Sequence, residues 1–300
     1  IPDVASKGEI IMRKRFSAII LAFVFALCSS PLSFAIAPSP DMWIVHNMST
    51  GQTAYADTET TEFVESTEAY IPVGVEIATP TMPNTVIPPD ERIQITNVNA
   101  YPYCAIVYLE ITFGSVTAVG SGFMVGPNVV LTAGHCVYDG SYGWATSIKV
   151  KAGGNNSSFS SVTVNSTSIH SVAGWVNQGL ADYDYGIITL PTNLGYSTGT
   201  FSIADSTNYI MNNRTVNVYG YPGDKAAGTL WYAIGTVLDS TQARIWYNTD
   251  TAGGQSGGPV SFLEAYTTAV GIHTRGTDTY NRNSATRINL SIVNYVNGFL

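Results

Sequence analysis

The stretch TDTAGGQSGGPV, residues 249–260, surrounds a single serine, Ser256, with four glycines and one proline. Glycine-rich turns are common, and most serines within them only satisfy nearby backbone groups. The alternative is that the Ser256 hydroxyl acts as a nucleophile. Because a hydroxyl is a poor nucleophile until a base removes its proton, the rest of the chain decides between these interpretations.

Histidine is the usual base, since its pKa lies near neutrality. The chain contains four histidines, at positions 46, 135, 170 and 273. His135 follows an apolar run in VVLTAGHCV, residues 129–137, where the end of a buried strand would point the imidazole into a cleft. A structural, hydrogen-bonded role is the alternative for each histidine.

A carboxylate must hold that imidazole in one tautomer. The stretch ADYDYGIITL, residues 181–190, offers Asp182 and Asp184 just before an apolar run, and either could be a simple turn residue. We favour Asp184, because it directly adjoins the predicted strand.

From residue 92 onward, short runs rich in Val, Ile, Tyr and Thr alternate with turn residues, which is typical of β-strands. The clearest runs are residues 104–111, 128–134, 147–153, 185–190, 215–221, 244–249 and 269–274. Only the tail, residues 289–300, has helical spacing, with Ile292, Val293, Val296 and Leu300 on one face. This pattern predicts a barrel or sandwich of antiparallel sheets.

The motifs TAGHC (132–136), DYGIITL (184–190) and GQSGGPV (254–260), in this order, resemble those of the chymotrypsin-like serine proteases. Within that superfamily the chain is more similar to the secreted bacterial glutamyl endopeptidases, from about residue 85 to residue 296. The resemblance implies an all-β fold of two antiparallel six-stranded β-barrels, roughly residues 85–195 and 196–288, followed by a C-terminal helix. It also implies a serine endopeptidase that acts through an acyl-enzyme.

The catalytic roles follow from the same resemblance. His135 matches the base, Asp184 the carboxylate and Ser256 the nucleophile. The backbone N–H groups of Gly254 and Ser256 match the oxyanion hole, in which the loss of one donor costs about 3 kcal/mol.

The substrate pocket implied by the resemblance contains Thr251 and His273. A threonine hydroxyl and a protonated or dipolar imidazole would donate hydrogen bonds to a glutamate carboxylate, and less well to aspartate. The backbone at Thr274, Arg275 and Gly276 would run beside the substrate as an extra strand. Cleavage after Arg or Lys is the alternative, because Asp250 lies six residues before Ser256, as in trypsin-like enzymes. A protease-like binding module without catalysis is the second alternative.

The N-terminal region resembles a secretory signal peptide over residues 12–37, with a basic start, an apolar run at residues 16–27 and small residues at the end. The alternative, a membrane anchor, needs roughly 20 apolar residues, and this run is shorter. We interpret residues 1–11 as untranslated leader read as protein, because Lys7-Gly8-Glu9 can be encoded by a bacterial ribosome-binding sequence. We therefore expect a secreted bacterial protein.

Residues 38–84 differ in composition from the rest of the chain, since residues 45–84 contain six acidic side chains and no Lys or Arg. We expect a pro-segment here, with a disordered acidic tail as the alternative. The resemblance implies that a cut near Asn84-Thr85-Val86 frees an amine that binds the substrate carboxylate. Val86 is therefore assigned to the substrate site, and residues 85–300 are assigned to the protease domain. We expect the uncut chain to be inactive.

The net charge of −8 and the absence of a basic stripe argue against a nucleic-acid partner. We expect polypeptide substrates, the chain's own pro-segment as a partner, no cofactor or metal, no membrane contact once the signal is removed, and a monomer. No ligand cluster for calcium stands out.

Three cysteines are present, and Cys28 would leave with the signal. The family's usual disulfide joins the cysteine of GHC, here Cys136, to a position that Gly120 occupies in this chain. A bond between Cys104 and Cys136 is the alternative, and it needs their Cα atoms within about 7 Å.

Overall fold

Short antiparallel strands make up most of the molecule, as the runs of β-branched and aromatic residues predict. The computed structural model describes residues 37–56, 64–80, 90–155 and 158–300. Within these ranges the strands up to residue 190 are β1 (Trp43–Asn47), β2 (Thr53–Tyr55), β3 (Ile93–Gln94), β4 (Ile106–Phe113), β5 (Val116–Gly126), β6 (Val129–Thr132), β7 (Tyr138–Asp139), β8 (Gly143–Trp144), β9 (Ser147–Asn155), β10 (Ser158–Asn165), β11 (Ser168–Val172) and β12 (Gly186–Thr189).

The remaining strands belong mostly to a second sheet. They are β13 (Ser202–Ile203), β14 (Thr215–Gly220), β15 (Trp231–Ser240), β16 (Arg244–Tyr247), β17 (Pro259–Phe262), β18 (Thr268–Arg275) and β19 (Asn283–Arg287). The α-helices are α1 (Ala173–Val176), α2 (Gly195–Thr198) and α3 (Leu290–Asn297), and single 3₁₀ turns lie at Tyr103–Ala105, Gly134–Cys136, Ala181–Tyr183 and Leu263–Ala265.

The first sheet has the order β10-β9-β4-β5-β6-β12-β11-β1-β2. Only Ser166 and Thr167 separate β10 from β11, so one length of chain pairs with β9 at its start and with β12 at its end. This continuous strand closes a six-stranded ring, around which the side chains of Leu109, Phe123 and Ile187 are fully buried. The arrangement leaves β1 and β2 as additions outside the ring.

The second sheet closes by direct pairing. Its order is β13-β18-β17-β14-β15-β16-β19, and β18 also pairs with β19. Six strands therefore form a barrel with a separate core that includes Val218, Val237 and Ile245. The prediction of a chymotrypsin-like, two-barrel, all-β fold is confirmed.

The C-terminal helix forms over most of the predicted segment. The Asn289 side chain accepts a hydrogen bond from Ile292 N at 3.0 Å and caps α3. Ile292, Val293 and Val296 are buried as predicted, whereas Leu300 is 56% exposed because α3 ends at Asn297. The helix packs against the first barrel, where Tyr295 stacks on Trp43.

Two parts of the chain differ from the sequence-based expectation. β3 lies in the region assigned to the first barrel, yet it pairs with β15 of the second sheet. Residues 38–56 and 64–80 also differ from the alternative of a disordered acidic tail, because β1 extends the first sheet and later residues form isolated bridges with Ala204, Thr200 and Tyr101. The predicted signal peptide, residues 12–37, lies almost wholly outside the described residues, as do residues 1–11.

Among the described residues, no helix combines the length and apolar character needed to cross a lipid bilayer.

Candidate active site

Two neighbouring strands of the first barrel bring His135 and Asp184 together. His135 lies in the turn after β6, and Asp184 lies two residues before β12. Since β6 and β12 are antiparallel, with Thr132 opposite Gly186, the end of one strand meets the start of the other. His135 Nδ1 lies 3.1 Å and 3.0 Å from the two carboxylate oxygens of Asp184, and one of these oxygens accepts the His135 backbone N–H at 2.9 Å.

The charge of Asp184 dominates the electrostatics of His135. Burial opposes a charged imidazole, but the adjacent carboxylate and its hydrogen bond outweigh that penalty, and the pKa of His135 is raised above its ordinary value. Asp184 is 1% exposed, whereas the His135 side chain is 32% exposed at the cleft. One ring nitrogen of His135 is thus held by a carboxylate, and the ring edge remains accessible.

The structure distinguishes between the two candidate aspartates. Asp182 lies exposed in the turn Ala181–Tyr183. Asp184 reaches the imidazole because it follows that turn and is buried against β12. The preference for Asp184 therefore agrees with the geometry.

Ser256 lies beside this pair, in the turn before β17. Its carbonyl accepts a hydrogen bond from Ser121 N at 2.8 Å, and the thiol of Cys136, the residue after His135, lies 3.7 Å from the same carbonyl oxygen. Within the described ranges the Ser256 hydroxyl makes no hydrogen bond of its own. Hydrogen bonds between a nucleophile and its base are often long without substrate and tighten when it binds.

Close backbone packing explains the glycines around Ser256. A Cβ at Gly257 would lie 2.0 Å from Ser121 O, and one at Gly258 would lie 1.9 Å from Tyr219 O. Gly254 and Gly257 also adopt φ values of 96° and 90°, which other residues rarely reach. Gly257 can therefore pack against the first barrel, and Gly258 against β14 of the second, only when these positions lack side chains.

The backbone of the same turn leaves two donors free. In the described part of the chain, neither Gly254 N nor Ser256 N donates a hydrogen bond. The Gly253 carbonyl accepts from Gly223 N at 2.6 Å. Since C=O and N–H point in opposite directions across a trans peptide, the Gly254 N–H is turned away from Gly223. Two unpaired N–H groups at a serine suit the binding of an oxyanion.

His273, one candidate for the substrate pocket, is buried within β18. Its Nδ1 lies 2.6 Å from the Tyr247 hydroxyl. Burial, with a smaller contribution from the nearby His135, lowers the pKa of His273 to about 3. Of the two predicted forms of this imidazole, the neutral, dipolar form is therefore the one present at neutral pH.

Thr251 and Asp250 have different surroundings. The Thr251 hydroxyl is buried and has no hydrogen-bond partner within the described ranges. The carboxylate of Asp250 accepts the backbone N–H of Glu91 at 2.9 Å. Asp250 thus engages the start of the protease domain, and Thr251 keeps an unused donor.

An ion-pair cluster fixes that start of the domain. Arg92 donates to Asp90 at 2.9 Å and to Asp224 at 2.6 Å, and Lys225 Nζ lies 2.6 Å from Asp90. The cluster joins residues 90–92 to the loop before β15. Val86, which the resemblance assigns to the substrate site, lies outside the described residues, as do Asn84 and Thr85.

A groove of about 760 Å³ runs beside the end of β18. Its lining includes Thr274, Arg275 and Gly276, together with Ala181 from the loop before Asp184. Arg275 and Gly276 are exposed. The three residues predicted to run along a substrate backbone therefore share one open groove, which also reaches Ala181, three residues before Asp184.

Two supporting residues were not predicted. The Ser121 hydroxyl donates to Gly254 O at 2.8 Å and accepts from Tyr221 N at 2.9 Å, so it fixes the glycine turn from the first barrel. Tyr247 positions the imidazole of His273. Neither residue lies in a recognisable motif, and only the folded chain brings them to the site.

Both described cysteines are free thiols, so the alternative Cys104–Cys136 disulfide is wrong. Cys104 Sγ donates to Thr198 O at 2.9 Å, away from the site. A Cβ built at Gly120 would lie 2.9 Å from Cys136 Sγ. Gly120 thus occupies the position from which a cysteine could brace the His135 turn, as the resemblance to the family predicts.

In the described part of the chain, no group of three or more His, Cys, Asp or Glu side chains is arranged to bind a metal ion.

Comparisons with known proteins agree with this architecture. The trypsin family matches residues 93–297. The chain is 35% identical over 218 residues to an extracellular metalloprotease of Bacillus subtilis (strain 168), covering 71% of this chain and 69% of the relative. It is 39% identical over 208 residues to a glutamyl endopeptidase of Bacillus licheniformis, covering 66% of this chain and 64% of the relative.

A solved structure described as a Glu endopeptidase in complex with MPD is also similar. It shares 30% sequence identity with this chain at a TM-score of 0.64, and the match covers 72% of this chain and 99% of that one. The family match spans both barrels and includes His135, Asp184 and Ser256. The chain therefore belongs to the trypsin family and is a serine endopeptidase.

Proposed function

We propose that this endopeptidase is secreted and cleaves peptide bonds after glutamate, and less readily after aspartate, by a His135–Asp184–Ser256 triad. The main support for the proposed specificity is the hydrogen-bond partner of the Asp250 carboxylate. Its carboxylate, which would select Arg or Lys, accepts the Glu91 N–H, while the Thr251 hydroxyl remains free to donate. The names of the similar glutamyl endopeptidases support the same choice.

In the proposed mechanism, Asp184 orients the His135 ring through Nδ1, so that Nε2 takes the proton of Ser256. The Ser256 oxygen attacks the substrate carbonyl, and the N–H groups of Gly254 and Ser256 stabilise the oxyanion. His135 then protonates the leaving amine, and water hydrolyses the acyl-enzyme by the same steps in reverse order. The raised pKa of His135 suits an imidazole that must both accept and return a proton.

In the proposed pocket, Thr251 and the neutral imidazole of His273 donate hydrogen bonds to the substrate carboxylate. A buried neutral donor avoids the cost of burying a second positive charge near His135. The positive charge comes instead from the amine freed near Thr85 or Val86. Residues 38–84 act as a pro-segment, and the enzyme is silent until that cut is made.

The specificity is tested by digesting an unstructured protein with the processed enzyme and identifying the new termini by mass spectrometry. We expect cuts after Glu. Predominant cuts after Arg or Lys would contradict the proposal and favour Asp250 as the specificity residue.

The His273→Ala variant sharpens the test. We expect kcat/KM to fall roughly a hundredfold for Glu substrates, since a hydrogen bond to a charged group contributes about 1.5–3 kcal/mol. Substrates with other residues before the cut should lose much less. The matched control is His170→Ala, which removes another buried imidazole, on β11, and should leave the ratio of kcat/KM between Glu and other substrates unchanged. Equal losses for all substrates with His273→Ala would contradict the assigned role.

A further inference from the structure

The N-terminal extension, defined here as residues 38–80, is attached to the enzyme by strand addition. β1 pairs antiparallel with β11 over five residues, from Trp43 opposite Val172 to Asn47 opposite Ser168. Before the strand, Ala173 N donates to Met42 O and Gly174 N donates to Pro40 O, each at 2.8 Å. The extension thereby satisfies the backbone groups on the open edge of β11.

Aromatic packing anchors this strand. Trp43 is 1% exposed and stacks on Tyr295 of α3, with ring centroids 4.0 Å apart and an interplanar angle of 11°. Its edge meets Tyr185 at 5.4 Å. Ile44 is also buried. Without the extension, the Trp43 site would be an exposed aromatic slot beside an unpaired strand edge.

The second half of the extension binds elsewhere on the enzyme. Thr67 N donates to Ile203 O at 2.9 Å, and Thr200 N donates to Tyr70 O at 2.8 Å. Further along, Tyr101 N donates to Glu76 O and Ala78 N donates to Tyr101 O, each at 2.7 Å. These contacts distribute the attachment over β11, β13 and the segment before β4.

The described contacts of the extension do not include the candidate catalytic residues. Within the described ranges, it makes no hydrogen bond, ion pair or ring contact with His135, Asp184 or Ser256. The described contacts of the extension end at Ala78, before residues 81–89. A cut within residues 81–89 would therefore break the covalent connection without removing any of these contacts.

We propose that the extension stays bound after the maturation cut, as a separate peptide that completes the first sheet. This inference depends on the proposed cut near residues 84–86. The mature enzyme would then be a two-chain complex, in which the pro-segment is a structural subunit and does not block the cleft.

The test uses the full chain with Ser256→Ala, so that it cannot digest itself, and with the recognition site of another sequence-specific protease placed within residues 81–89. After cutting by that protease, we expect the two pieces to elute together in size-exclusion chromatography and to give a 1:1 mass in native mass spectrometry. Separation of the pieces while the larger one stays folded would overturn the proposal. Because the cut is made by an added protease, the result does not depend on Glu specificity.

Two variants locate the attachment. Trp43→Phe, which keeps an aromatic ring, should weaken retention of the cut extension at least tenfold in dissociation constant. Tyr55→Phe, at an exposed position on β2, is the matched control and should leave it unchanged. Equal retention with Trp43→Phe and Tyr55→Phe would overturn the role of Trp43 as the anchor.

Discussion

His135 and His273 are neighbouring imidazoles with opposite electrostatics. In both, Nδ1 lies within hydrogen-bond distance of another side chain, the Asp184 carboxylate for His135 and the Tyr247 hydroxyl for His273. Burial by itself acts to lower the pKa of both residues. The Asp184 carboxylate contacts His135 directly and raises its pKa, whereas its effect on His273 is smaller than that of burial, and the pKa of His273 falls to about 3. The partner, and not burial alone, decides whether an imidazole here is a base or a neutral donor.

Their supports differ as well. His135 lies in a short turn after β6, at the cleft, and its backbone N–H donates to the Asp184 carboxylate. His273 lies inside β18, and its backbone N–H and carbonyl pair with Gly258 O and Gly257 N. His135, the proposed proton carrier, thus lies in the more exposed position. His273, which is proposed to bind the substrate carboxylate, lies within the closed barrel.

Asp184→Asn would remove the difference between the two imidazoles, and it should have the largest effect. The amide cannot stabilise the imidazolium, so the pKa of His135 should fall and kcat should drop by about 10⁴-fold, as this change does in Ser-His-Asp triads. Steady-state kinetics and an NMR titration of the imidazoles measure both effects.

The matched control is Asp182→Asn, at the exposed position in the preceding turn. It should change kcat less than tenfold. A comparable loss in both variants would mean that the carboxylate beside His135 is not specifically required.

Gly120→Cys would brace the turn that contains His135. A Cβ at position 120 lies 2.9 Å from Cys136 Sγ, close to the separation found across a disulfide. Closing a loop of this size should add about 3 kcal/mol to the free energy of unfolding. Denaturation of the Ser256→Ala background, with and without reductant, measures the gain.

Gly120→Ser is the control, because it adds a side chain of similar size without a bond. It should be neutral or destabilising, since Ile111 also lies close to a Cβ at this position. A stabilisation by Gly120→Cys that survives full reduction would contradict the disulfide explanation.

The pH dependence of stability should separate the two histidines by sign. The pKa of His273 is lower in the folded chain than in the unfolded chain. Below about pH 6.5 the unfolded chain therefore binds a proton that the folded chain does not, and the free energy of unfolding decreases as the pH is lowered. The loss should be roughly 1.3 kcal/mol between pH 7 and 5.5. His135 has a raised folded pKa, so its contribution is complete below about pH 6.5 and is lost as the pH rises through the folded value.

Chemical denaturation of Ser256→Ala between pH 5 and 8 measures these slopes. His170, whose pKa burial lowers to about 4, adds to the acid-side slope. His273→Gln should therefore reduce the slope below pH 6.5 by about one proton and leave the slope above it unchanged. An unchanged acid-side slope in His273→Gln would contradict a neutral, buried His273.

Local sequence predicted most strands of the two barrels and the C-terminal helix, because each depends on a short-range pattern. It also proposed the pairing of His135 with Asp184, because each lies in a motif at the end of a strand. The oxyanion role of the Gly254 and Ser256 N–H groups came only from the resemblance to the family, and it stays a prediction. The partners Ser121 and Tyr247 were not predictable, because their roles arise from contacts between strands distant in sequence. The docking of β1 was missed for a related reason. Its acidic surroundings resemble a disordered tail, and Trp43 finds its aromatic partners only at residues 185 and 295.

The ion pairs of Arg92 with Asp90 and Asp224 have a consequence for the timing of activation. A chain end released at residue 85 is tethered five residues from Asp90, so it can travel at most about 18 Å from that fixed point. If the proposed cut is made, the new amine would therefore be confined near Asp250 from the moment it forms. A cut closer to residue 90 would shorten the segment between the new N-terminus and Asp90. The position of the cut would therefore determine how far the amine can reach.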